Sequence, residues 1–130
     1  MGELPVSIAI SGDECVLGLS GEVDLACADE IARLGIGTLE SHWIQRLCVD
    51  LSAVTLLDSS GLRALVRMRD TAVVRHKLFW VRDPSNAALK PIELTGLDSV
   101  FVIERARPGQ ATPLPETPAS PPRSWLQMTE

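Results

Sequence analysis

The sequence predicts an α/β domain with a small mixed β-sheet, followed by a proline-rich, disordered tail. Three observations carry this expectation. Stretches in which apolar residues alternate with a period of two take turns along the chain with stretches that carry a helical apolar stripe. The first two strand-like runs are joined by a short turn, and such a hairpin makes the sheet mixed instead of purely parallel. From Arg107 the character changes: six of the nine prolines fall between Pro108 and Pro122, with little apolar material between them. The domain is therefore expected over residues 1–106 and the tail over 107–130, where Trp125-Leu126-Gln127-Met128 at the tip reads as a plain disordered terminus first and as a short docking motif second.

Taken in order, Val6, Ile8 and Ile10 alternate with Ser7 and Ala9 as a half-buried strand does, and Ser11-Gly12-Asp13-Glu14 is turn chemistry. A second strand from Cys15 to Ser20 puts Cys15, Leu17 and Leu19 on one face. Asp24 is suited to cap a helix from Leu25 to Glu40, whose second half Gly35 and Gly37 should weaken by about 1 kcal/mol each. Leu47 to Leu51 is apolar on both faces except at Asp50, as expected of a central strand, and Val54 to Leu57 is apolar again. A buried Asp50 must find a partner, and backbone of a nearby loop is the expected one. The next helix reaches about Arg75, with Leu62, Leu65, Val66, Ala72 and Val73 as its stripe and Arg63, Arg67 and Asp70 toward water. Lys77 to Val81 reads as a strand, and Asp83-Pro84-Ser85-Asn86 as a turn and cap. A short helix then stops at Gly96, and Val100 to Ile103 forms a closing strand.

Composition excludes several functions. The net charge of −5 in 130 residues argues against nucleic acid, which calls for a basic footprint. Charge is uneven: residues 1–58 carry ten acids and two bases, residues 59–130 ten bases and seven acids, so the first half suits either a basic partner surface or a plain solvated face. No apolar run approaches the roughly 20 residues of a membrane span and no signal pattern opens the chain, so a cytoplasmic protein with no membrane partner is expected. Cys15, Cys27 and Cys48 are odd in number and lack ligand-like spacing, which favours buried structural thiols over a metal site, and no cofactor is implied.

Asp58-Ser59-Ser60-Gly61-Leu62 joins an apolar strand to a helix, and so places two hydroxyls at a helix N-terminus. A serine there can be a cap, a nucleophile or a phosphoacceptor. A nucleophile needs a Gly-x-Ser-x-Gly elbow and a histidine base, but Leu57 stands two before Ser59 and His76 lies about 25 Å away along the same helix. A phosphate-binding loop needs more than the single Gly61. Catalysis is thus disfavoured.

Four motifs then occur in order: Leu19-Ser20-Gly21-Glu22-Val23-Asp24-Leu25, Val49-Asp50-Leu51-Ser52, Leu57-Asp58-Ser59-Ser60-Gly61-Leu62, and Glu93 to Phe101. Over about residues 5–105 the chain resembles the STAS domain of free-standing bacterial anti-sigma factor antagonists. The resemblance implies a small sheet with helices packed on one side and no enzymatic activity. It implies phosphorylation of Ser59, with Ser60 as second candidate and more in keeping with a cap, by an anti-sigma factor that is also a serine kinase. A metal-dependent serine phosphatase would reverse it. The unphosphorylated form would bind the anti-sigma factor and release a sigma factor, as in stress responses. Asp24 would lie beside the phosphorylation site. The expected contact set is Asp24, Asp58, Ser59, Ser60, Gly61, Arg63 and Arg67, although Asp58 also suits a plain cap and the two arginines a solvated face. Cys27, Gly35-Ile36-Gly37 and Trp43 depart from the family pattern near the expected interface, which bears on partner choice. The alternative is a STAS scaffold or ligand sensor in which Ser59 is only a cap.

Overall fold

In the computed structural model, which describes residues 5–105, β1 (Val6–Ser11) and β2 (Glu14–Val23) form the expected hairpin, with Ile10 opposite Cys15. Gly12, at φ 60°, supplies the left-handed residue that its tight turn requires. The proline-rich tail and Trp125–Met128 lie outside the described residues. From β2 the chain passes through α1 (Leu25–Glu40) to β3 (Arg46–Leu57), then α2 (Ser59–Val74) to β4 (Leu78–Arg82). Finally α3 (Asn86–Leu94) and a 3-10 turn at Leu97–Ser99 lead to β5 (Ile103–Glu104). The sheet order is β1-β2-β3-β4-β5, antiparallel only between β1 and β2.

The register sorts the side chains into two faces. Cys15, Leu47 and Phe79 form one row of the covered face, and Leu17, Val49 and Val81 the next. These residues join Ile31 and Ala32 of α1, Leu65 and Met68 of α2, and Ala88 and Ile92 of α3 in one aliphatic core, so all three helices share one side of the sheet. On the other side, Cys48 and Trp80 are cross-strand neighbours and bury each other with Val16, Leu78 and Val102. Around them run polar rows, Glu14–Arg46 and Gly18–Asp50–Arg82. None of the described helices is long and apolar enough to cross a membrane.

Four expectations need correction. First, α1 runs unbroken to Glu40, and only one of its two glycines is a plain weak place. Gly35 is buried against α2, where an added Cβ would overlap Met68 Sδ and lie 2.8 Å from Met68 Cγ, so this glycine permits close helix contact. Second, the stripe of α2 is centred on Gly61, Leu65, Met68 and Ala72, while Val73 is 53% exposed. The small residues Gly61, Ala64 and Ala72 mark the packed face; of these the expected stripe includes Ala72, and a count of bulky aliphatics missed Gly61 and Ala64. Third, β3 is one strand through Leu57. Fourth, the closing strand is only Ile103–Glu104, because the N–H of Phe101 turns back to Leu97 O at 2.8 Å. That turn seats Phe101 in the core, edge-on to Phe79 at 6.1 Å. Gly96 does follow α3, at φ 77°, as a left-handed stop.

Asp50 accepts from Ser52 N at 2.8 Å, a backbone group of its own strand β3 instead of the loop backbone expected, and also pairs with Arg82 at 3.2 Å, which strand spacing alone did not reveal. Cys15 and Cys48 are buried, and burial pushes both thiols above their ordinary range.

Candidate functional site

Two parallel strands ending at the same level build the site. Val23 of β2 is paired with Leu57 of β3, and each strand is followed by an aspartate that caps a helix. Asp24 accepts from Ala26 N at 3.0 Å, and Asp58 from Gly61 N at 3.0 Å. Neighbouring strands lie about 4.8 Å apart, so α1 and α2 begin side by side with their positive ends at one edge of the sheet. The Asp58 N–H donates to Val23 O at 3.3 Å and ties the two turns together.

Gly61 explains how closely they approach. A Cβ there would stand 2.5 Å from Leu57 Cδ1, 2.8 Å from Val23 O and 3.0 Å from Val23 Cγ1. These contacts make Gly61 a point of close packing between the two turns. The first turn of α2 is thereby pinned to the end of β2, and Ser59 with it.

Ser59 is the first residue of α2 and is exposed, whereas Ser60 is half-buried. Arg63 follows Ser59 by four residues, one turn along the same exposed face. Arg67, a further turn on, is held by Asp29 of α1 at 3.1 Å, and Asp29 also pairs with Arg33. Asp24, Asp58, Ser59, Ser60, Gly61 and Arg63 thus gather at one end of the domain, while Arg67 lies farther along and bridges the two helices. His76 lies past the C-cap of α2, at the other end from Ser59, and so cannot serve it as a base.

Two further side chains lie at this end. Leu25, the first residue of α1, is 78% exposed beside the Asp24 cap. Cys27 is half-buried in the same turn, with Sγ 3.5 Å from Glu22 O and 3.7 Å from Asp24 O. The signal for Leu25 was present in the sequence: an apolar residue directly after a cap, off the helical stripe. Of the features that depart from the family pattern, only Cys27 is at this end. Trp43, 80% exposed, follows the far end of α1.

The family model described as "Mlab, STAS domain" matches residues 6–104. The anti-sigma-F factor antagonist RsfB of Mycobacterium tuberculosis is 32% identical over 98 residues, which span 75% of this chain and 79% of RsfB. An anti-sigma factor antagonist from Mycobacterium paratuberculosis, known by crystal structure, has 30% identity and a TM-score of 0.67 over 76% of this chain and 83% of its own. The anti-sigma factor antagonist SpoIIAA in its unphosphorylated form superposes with a TM-score of 0.69 over 79% of this chain and 89% of its own. At 15% identity, that likeness concerns the fold.

Proposed function

This chain belongs to the STAS domain family, and from that premise we propose that its unmodified form binds an anti-sigma factor and that phosphorylation of Ser59 ends the binding. The observation that carries the proposal is the exposed Ser59 hydroxyl at the first residue of α2, at the end where Asp24 and Asp58 cap adjoining helices. Ser59 is open to a kinase, and the half-buried Ser60 less so. Exposed Leu25 offers the same end an apolar contact for a partner.

The chemistry of the switch follows from charge. A phosphate adds about −1.5 to −2 charges at neutral pH. At Ser59 it would join two carboxylates, and Arg63 is the one cation in the first two turns of α2. The paired helix N-termini offset about 0.3–1 kcal/mol each, so the phosphorylated domain stays folded. A partner shaped for the bare hydroxyl meets both bulk and charge, and a loss of about 2.7 kcal/mol weakens it about a hundredfold. On this reading the anti-sigma factor supplies the serine kinase, a metal-dependent serine phosphatase restores the binding form, and the protein works in the cytoplasm without catalysing a reaction itself.

The test uses Ser59→Ala and Ser59→Glu proteins as paired baits in lysate of the source organism, with captured proteins identified by mass spectrometry. A kinase-like anti-sigma factor held by the alanine form and lost from the glutamate form is the expected result. Equal capture of one protein by both forms sinks the phospho-switch.

A further inference from the structure

Among the described residues β1 is the outermost strand of the sheet, and its backbone geometry shows what its outer edge offers. Ser20 N donates to Pro5 O at 2.9 Å, which makes Pro5 and Ser20 a hydrogen-bonded pair of the antiparallel ladder. Bonded and non-bonded pairs alternate. Ser7, Ala9 and Ser11 therefore turn their N–H and C=O groups toward β2, while Val6, Ile8 and Ile10 turn theirs outward. The side chains of these three lie in the rows of Leu19, Leu17 and Cys15, on the helix side. The helices do not reach over β1, so Ile8 is 49% and Ile10 63% exposed.

Natural sheet edges are protected by shortness, charge, proline or bulges. The opposite edge follows this rule, since β5 has two residues and one is Glu104. β1 has six residues, and no charged side chain occurs between Glu3 and Asp13. The register shifts of β2 fall on its pairing with β3, not with β1. Absence of charge matters most for an identical partner. Two copies of a chain with net charge −5 repel, and β1 is a strip where they can meet without placing like charges opposite each other.

We infer that β1 is a homodimer edge that pairs antiparallel with β1 of a second copy about a twofold axis at Ile8, forming one continuous sheet through both domains. In this register Ile8 faces Ile8 of the second copy and Val6 faces Ile10, so every outward N–H and C=O of the three residues is bonded. The apolar side chains also cover one another. An isologous contact needs such self-complementarity, and a strand of odd register about its centre supplies it. β2 separates this edge from β3 and from the Ser59 turn, so the inference does not rest on the phospho-switch.

The test is sedimentation equilibrium of the full chain together with three substitutions. The wild type should show a reversible monomer–dimer equilibrium below about 1 mM. Ile8→Pro removes an N–H that the β1–β2 ladder does not use. It should raise the dissociation constant about tenfold or more, with circular dichroism and Tm little changed. In a Cys27→Ser background, where Cys15 and Cys48 are buried, a short bis-maleimide should link Ile8→Cys copies to each other. It should not link Ile10→Cys copies, whose thiols would be about 14 Å apart along the strands. A wild type monomeric throughout this range overturns the inference. So does a dimer that links through Ile10→Cys as readily as through Ile8→Cys, a result that stands even if the proline variant fails to fold.

Discussion

Replacing Gly61 with alanine tests the joint on which the candidate site is built. The new Cβ would lie 2.8 Å from Val23 O, and this carbonyl is fixed because it accepts the Asp58 N–H. Leu57 Cδ1 at 2.5 Å and Val23 Cγ1 at 3.0 Å close the other directions. Overpacking of this kind costs about 1–3 kcal/mol, against a gain of about 1 kcal/mol for alanine over glycine in a helix. The net loss should be about 0–2 kcal/mol, or a Tm decrease of up to roughly 15 °C for a domain of this size. Gly37→Ala is the matched control. An added Cβ there meets nothing within 4 Å, so the variant should gain about 0.5–1 kcal/mol. Both values come from urea and thermal unfolding of the full chain. If Gly61→Ala proves as stable as Gly37→Ala, the first turn of α2 is not pinned to β2 and the argument for a preset Ser59 fails.

Three other perturbations probe different contacts. Asp58→Ala removes the cap on Gly61 N and should cost about 1 kcal/mol, whereas Asp58→Asn keeps an acceptor and should stay within a few tenths in the same unfolding assay. Met68→Ala should cost about 2–5 kcal/mol alone, but in the double variant with Gly35→Ala the penalties should add to less than their sum, because the removed side chain is the one the new methyl strikes; a double-mutant cycle measures this. Burial pushes the Glu14 carboxyl above 4.5, with Arg46 opposing in part, so the folded state holds that proton more tightly than the unfolded chain. The contribution of Glu14 to stability is then greatest below pH 4.5 and falls as pH rises through the folded value. Glu14→Gln should accordingly gain on the wild type across that window, and a stability difference constant from pH 4 to 7 would contradict the assignment.

Local chemistry made much of the site legible. Asp24 and Asp58 read as caps because a short acceptor ahead of an apolar helical pattern has few other roles, and both cap. Arg63 and Arg67 read as surface residues from their spacing, and both are exposed. Which cation has a partner was not legible. Arg67 meets Asp29 across 38 residues of chain, and only the packing of α1 on α2 brings them together. The stripe of α2 was read incompletely for a related reason: Leu62, Leu65 and Ala72 are buried as expected, but Val73 is exposed. Hydrophobicity was weighed by bulk, but Gly61 and Ala64 lie at the packed face because little space remains there.

The sequence by itself determined the order and kind of the elements, the hairpin, and the serine at a strand-to-helix turn. Periodicity, turn residues and caps act over a few neighbours and leave their mark in a single stretch of chain. The tertiary structure decided what depends on pairing between stretches: that β2 and β3 end in register, that two helix N-termini therefore adjoin, and that Gly35 and Gly61 are points of contact instead of weak places in helices. It also decided which backbone groups of β1 face outward, a matter of ladder parity that no residue type encodes. Close approach is a property of two surfaces, and one strand of sequence records only one of them.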